Sequence, residues 1–398
     1  MTGKGLRGIF VAVVAVALLC GFGGEKSPGA LVTVSPFTLN TGLDADAKLL
    51  TYWMPGVRGE PVEASTLLFT PRGIAPVGGW PIVAWAHGTT SLGAAQCAPS
   101  LFPELAGDSV LMGAEAAAGY VSVIRALLDA GYAVVAPDYE GLGAVATTPY
   151  PYFNLSSEGR SIVLAVRAAR QAATALSSNW AVVGHSNGGH AVFGADLYAK
   201  EAPELSLKGS VAFAPGVAME ELVAMHGNAA QGDGPIDAIR SRIKQDILVS
   251  GMVSGVKAQL PNFDASAVFG EDMLASLPGL QQECVVAGSR KLFLAIVLSG
   301  GGGVAGVKPD WAKDPQMADF LLANDPAVMP DFALSKPSLI LQGTLDGGIL
   351  PAITDAFVAK LQSTSNAGIT YKKFAANHVG VVAAGEADML DFLHSVMR

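Results

Sequence analysis

The chain has 398 residues, 51% hydrophobic and only 15% charged, with a formal charge of −9. That length fits one large α/β domain with an insertion, or two domains, and the apolar fraction excludes a disordered chain. The negative charge, with no basic cluster, argues against a nucleic-acid partner.

In chain order, Lys4 and Arg7 precede an apolar run over residues 9–19. The run is too short and too near the start for an ordinary membrane span, so residues 1–30 read as an export signal. Three fates stay open: cleavage near residues 21–24, lipid attachment at Cys20 as in a bacterial lipoprotein, or an uncleaved anchor. Leu19 stands where the lipoprotein signal expects a small residue. Lipidation of Cys20, or a lipid substrate itself, would bring the protein to a membrane surface. The mature chain keeps Cys97 and Cys284. Export allows them to pair, and the alternative is two separate thiols. Nothing in the pattern suggests a zinc site.

Residues 31–75 read as an antiparallel opening section with turns at Pro55-Gly56 and Pro71-Arg72-Gly73, and 67–71 is one of its strands. Residues 81–87 form the first clear buried strand. A helix is expected over 113–130, stopped by Gly131, and then a strand over 132–137. Residues 156–177 have helical spacing, with Arg160, Arg167 and Arg170 on the polar side and an N-terminus at Ser156-Ser157-Glu158. Further strands are expected at 180–183, 210–214 and 338–342, an alternating edge strand at 369–374, and a closing helix over 384–397. Alternating strands and helices imply a mostly parallel, doubly wound sheet built from residues 31–215 and 336–398. Between them, residues 216–335 carry helical pattern and few strands, which predicts a helical cap inserted over the C-terminal ends of the sheet. The glycine run 300–303 lacks the Lys-Ser/Thr of a phosphate loop and reads as a connector.

Gly184-His185-Ser186-Asn187-Gly188 lies at the seam between the strand at 180–183 and a helix over 189–199. That is the setting of a nucleophile elbow, where a sharp strained turn lifts the serine above the sheet and side chains at the flanking glycines would clash. A serine hydroxyl needs a base within hydrogen-bond reach and an acid to hold that base, in the chain order Ser, acid, His. His378 follows the last strand on a short loop and is the candidate base. His185 and His190 are too close to Ser186 in sequence, His87 comes early, His226 falls in the cap, and His394 lies near the end of the closing helix. Asp346, on the loop after strand 338–342, is the candidate acid; the other reading is a turn-forming Asp before glycine. Two backbone donors are needed for an oxyanion. Asn187 supplies one. Thr89, on the loop after His87, is the choice for the other, with Thr90 close behind. Asp138 reads as a hydrogen-bond acceptor that fastens its loop rather than as a site residue.

The chain resembles the secretory lipases of the α/β-hydrolase superfamily, the group that includes the A-type yeast lipase. The matching segments are Ala86-His87-Gly88-Thr89-Thr90 with Cys97-Ala98-Pro99-Ser100, Pro137-Asp138-Tyr139-Glu140-Gly141-Leu142-Gly143, residues 183–190, Gln342-Gly343-Thr344-Leu345-Asp346, and His378-Val379-Gly380. The resemblance implies an α/β-hydrolase fold with a helical cap and a Ser186–Asp346–His378 triad. It also implies a disulfide from Cys97 to the cap, with Cys284 as partner, and hydrolysis of carboxylic esters without metal or cofactor. One segment departs: the family pattern Asp-x-x-Val-Pro is here Asp346-Gly347-Gly348-Ile349-Leu350-Pro351, one residue longer.

The expected activity is that of an exported serine hydrolase for lipid-like or short-to-medium acyl esters, with the cap forming the acyl pocket. Two rivals are acyl transfer or aminopeptidase chemistry on the same triad, and a non-catalytic surface protein that binds lipid.

Overall fold

The computed structural model describes residues 26–38, 42–101, 119–232, 235–299 and 306–398. The expected signal up to residue 25, Cys20 included, and the 300–303 glycine run lie outside the described residues, as do residues 113–118 of the first expected helix. No helix among the described residues is long and apolar enough to cross a membrane.

Among the described residues, nine strands form one sheet: β1 (Leu31–Pro36), β2 (Ala45–Pro55), β3 (Pro61–Pro71), β4 (Trp80–Ala86), β5 (Ala133–Pro137), β6 (Leu176–His185), β7 (Ser206–Phe213), β8 (Ser338–Gly343) and β9 (Ile369–Phe374). Their order is β1-β2-β3-β5-β4-β6-β7-β8-β9. The first three strands pair antiparallel, β3 pairs antiparallel with β5, and every later pairing is parallel. β5 and β8 are buried at every position. That is the burial of a parallel strand covered on both faces, and it explains the unbroken apolar runs in the sequence. β9 ends the sheet and alternates between partly buried and exposed residues, as an edge strand does.

Around the sheet lie α1 (Gly119–Asp129), α2 (Leu155–Ala172), α3 (Asn187–Tyr198), α4 (Met219–Gly232), α5 (Pro235–Gln259), α6 (Glu271–Leu280), α7 (Val285–Leu298), α8 (Pro315–Asn324), α9 (Pro351–Thr364), α10 (Gly380–Ala384) and α11 (Glu386–Val396). Five of these, α4 to α8, fall between β7 and β8. α2 and α3 approach so closely that a side chain on Gly159 would lie 2.4 Å from the Gly194 backbone. The two glycines let the helices meet backbone to backbone beneath the elbow.

Two expected boundaries shift. The helix expected over 156–177 ends at Ala172 because β6 already begins at Leu176, and its N-cap is Asn154, whose side chain accepts from the Ser157 N–H at 2.9 Å. The closing helix expected over 384–397 is α11, which starts at Glu386; a break at Gly385 separates it from the short α10. A side chain there would lie 2.8 Å from Leu341 of β8, so the backbone turns where it touches the sheet.

Candidate active site

Four loops at the C-terminal ends of parallel strands converge: those after β4, β6, β8 and β9. This is where ligands sit in open α/β sheets.

Ser186 joins β6 to α3 with φ 59° and ψ −118°, a conformation an L-residue adopts only under strain. Its surroundings hold it there. A side chain on Gly184 would lie 2.2 Å from the Gly188 carbonyl oxygen, and one on Gly188 only 2.0 Å from the Ala86 carbonyl oxygen of β4. The Ser186 N–H donates to the Phe213 carbonyl of β7 at 2.9 Å. The serine is thus fixed from both neighbouring strands.

His378 lies on the loop after β9, its Nε2 2.9 Å from Ser186 Oγ and its Nδ1 2.8 Å from Asp346 Oδ2. Asp346 is buried. Its Oδ1 accepts from the N–H groups of Gly348 (2.7 Å) and Ile349 (2.9 Å), and its Oδ2 also accepts from Gln342 Nε2 at 3.1 Å. Burial alone would raise the carboxyl, but the His378 charge and hydrogen bond, the Gly348 N–H and His185 outweigh it and hold the group below its ordinary range. The extra residue in this loop does not carry Asp346 away from His378. The loop wraps around the carboxylate, and Gly348 passes so close that a side chain there would lie 3.0 Å from the His378 ring.

Asn187 is the first residue of α3, where a backbone N–H has no intrahelical acceptor. Its side chain points away, donating to Glu158 Oε1 at 2.9 Å and Tyr150 Oη at 3.2 Å. The loop after β4 lies against the serine, with a Gly88 side-chain position 3.4 Å from Ser186 Cβ. Thr89 follows, its hydroxyl 2.9 Å from Tyr152 Oη. The Thr90 carbonyl accepts from the Val285 N–H of α7 at 2.8 Å. Cys97 and Cys284 are joined, with Cα atoms 5.4 Å apart. Asp138 is fully buried and accepts from Ser65 Oγ (2.6 Å) and the Ser100 N–H (2.9 Å), so it fastens its loop, away from the serine.

Several neighbours escaped the sequence reading. His185 and His190, set aside for their closeness to Ser186, both lie beneath the site. His190 is bonded to Glu158 Oε2 at 2.8 Å and the Asn324 carbonyl at 2.8 Å. Glu158, read as a helix start, is fully buried and also receives the Phe153 N–H at 3.1 Å. His226 of α4 and Lys244 of α5 bond the Gly348 and Gly347 carbonyls at 2.9 and 2.5 Å, so both helices grip the acid's loop. Only Gln342 carried a local signal, a polar residue closing an otherwise apolar strand.

Residues 108–227 match the family described as secretory lipase. A comparison with curated proteins finds no match. Among solved structures, Candida antarctica lipase A in its closed state superposes with a TM-score of 0.70 at 18% identity, covering 93% of this chain and 82% of that one. The rice cell wall degrading esterase LipA from Xanthomonas oryzae gives 0.67 at 19% identity, covering 93% and 98%. The secretory-lipase match supports a carboxylic ester hydrolase, and the solved structures show that the chain has the α/β-hydrolase fold.

Proposed function

We propose that the protein is an exported serine hydrolase that cleaves lipid-like or short-to-medium acyl esters through an acyl-enzyme. The observation that carries the reading is the continuous hydrogen-bonded line from Ser186 through His378 to Asp346, with the serine in a strained turn. Ser186 Oγ attacks the acyl carbonyl carbon while His378 Nε2 takes the hydroxyl proton. Asp346 holds the imidazole with its Nδ1 protonated and offsets the charge that forms on it. The oxyanion is held by the N–H groups of Asn187 and Thr89. The proton on Nε2 passes to the leaving alkoxide as the ester C–O bond breaks. Water then gives a proton to His378 and attacks the acyl carbon; the bond from that carbon to Ser186 Oγ breaks as His378 returns the proton to Oγ, and the acid leaves.

Residues 216–335 act as the cap in this reading, anchored through Cys97–Cys284 beside the oxyanion loop. Export fits both the disulfide and the family match. The two structural neighbours are named as a lipase and as an esterase, so acyl length is the property to measure. Purified protein is assayed on p-nitrophenyl esters from acetate to palmitate beside Ser186→Ala. The expected result is turnover by the parent and a loss of about 10⁶-fold in kcat for the variant, with a preferred chain length that sizes the pocket. A well-folded parent with no turnover at any length, or a fully active variant, refutes the proposal.

A further inference from the structure

The histidine between Gly184 and Ser186 has a part that the triad does not describe. His185 is the last residue of β6 and is buried. Its Nε2 lies 2.7 Å from the backbone carbonyl of His378. A carbonyl only accepts, so Nε2 carries the proton and Nδ1 is left as an acceptor. Nδ1 faces the Tyr120 hydroxyl at 3.3 Å, and that same hydroxyl accepts the Gly88 N–H at 2.9 Å. The donors therefore run in one direction, from Gly88 N–H to Tyr120 Oη, from Tyr120 O–H to His185 Nδ1, and from His185 Nε2–H to the His378 carbonyl. Burial, helped by the neighbouring His378 charge, pushes His185 down to about 3, so the ring stays neutral and keeps this one tautomer across the working pH range.

The chain of bonds joins two loops that share no strand. Gly88 belongs to the loop after β4 that carries Thr89, and His378 to the loop after β9. They face each other across Ser186. We propose that His185 and Tyr120 are positioning residues: their hydrogen bonds set the gap between the base His378 and the oxyanion loop at residues 87–89. This rests on the hydrolase reading above. His378 sits on a loop beyond the edge strand, and its Nε2 must stay within reach of Ser186 Oγ. The His185 N–H pins the backbone of that loop. Tyr120 occupies the Gly88 N–H, which leaves the following amide to face the substrate. A side chain at Gly88 would lie 2.5 Å from Tyr120 Oη, so the close approach requires glycine there.

The test measures kcat and KM on the best p-nitrophenyl ester, with active enzyme counted by a fluorophosphonate that labels the serine. H185F keeps a ring but has no donor, H185Q keeps a donor of similar reach, and Y120F removes one hydroxyl. We expect H185F to lose about 10- to 100-fold in kcat with KM within about twofold, the signature of misplaced groups rather than lost binding. H185Q should recover most of that loss. Y120F should lose about tenfold, and the H185F/Y120F pair should be no slower than H185F alone, because both act through one chain. H185F with kcat within about twofold of the parent, or H185Q as slow as H185F, assigns His185 to packing and overturns the proposal. Should H185F fail to fold, Y120F decides: kcat within about twofold of the parent overturns the proposal. A parent protein that neither turns over esters nor takes the label removes the hydrolase reading first, which is distinct from an active parent with unaffected variants.

Discussion

Asp346 does two things for His378, and an amide in its place would do only one. The Asp346 Oδ1 bonds to the Gly348 and Ile349 N–H groups survive in Asp346→Asn, so the loop keeps its shape. The Oδ2 position becomes an NH₂ group that donates to His378 Nδ1. The imidazole is then forced to carry its proton on Nε2, facing Ser186, and cannot accept the serine proton. The expected loss is about 10⁴-fold in kcat with KM little changed, the magnitude known for this substitution in Ser-His-Asp enzymes. Circular dichroism should match the parent, and stopped or steady-state turnover measures the loss. A loss below about tenfold would show that His378 is oriented by something other than Asp346.

At the scale of elements, the elbow works because β6 and α3 meet with no side chains between them and β4. Gly188→Ala would place a methyl 2.0 Å from a backbone oxygen of β4, where nothing flexible can yield. We expect a loss of about 3 kcal/mol or more, at the upper end of overpacking costs, read as a lower urea midpoint together with lost turnover. Gly279→Ala is the contrast: it lies in α6 with nothing within 4 Å of the added methyl, and should be neutral or gain up to about 1 kcal/mol. Equal tolerance at both positions would mean that the elbow does not pack as tightly as described. The same contrast explains what the sequence revealed. The central parallel strands were legible because burial on both faces makes them apolar runs, and β9 because it alternates as an edge strand; Ser186, Asp346 and His378 were legible because they follow β6, β8 and β9 in a fixed order. The end of α2 was not legible, since Ala172 and Leu176 have similar local preferences and only pairing of β6 with β4 decides between helix and strand. His185, Tyr120, His226 and Lys244 were also silent, because their partners lie 32 to 193 positions away in the chain and no local pattern announces such contacts.

For the molecule as a whole, buried titratable groups of opposite kinds shape the response to acid. Burial pushes Asp138 up to about 6, against the hydrogen bonds from Ser100 and Ser65; it pushes Asp246 up to about 6 against the Arg242 charge, and Glu140 up to about 7 against Ser157 and Val57. The folded state takes protons on these groups before the unfolded chain does, so their contribution to stability grows as pH falls from about 7 to about 4. Burial pushes His87 down to about 4 and His185 to about 3. There the unfolded chain takes the proton first, so stability is lost as pH falls below about 6.5. The two sets oppose each other between about pH 7 and 4, and stability should change little over that range. Below about pH 4 the raised carboxyls are protonated in both states and add nothing more, while His185 is still resisting its proton. Asp346, held low, contributes stability above its unfolded value and loses it as pH falls through its folded one. Stability should therefore fall steeply below about pH 4. Asp138→Asn separates the terms, since the amide keeps the shape of the carboxylate and removes its titration. With urea unfolding followed from pH 7 to 4, the variant should be relatively best at pH 7, where the parent holds a buried charge, and should lose ground to the parent steadily as Asp138 takes up its proton. A difference between variant and parent that stays constant across that range would show that Asp138 titrates alike in both states, and the compensation would then have to come from Asp246 and Glu140 alone.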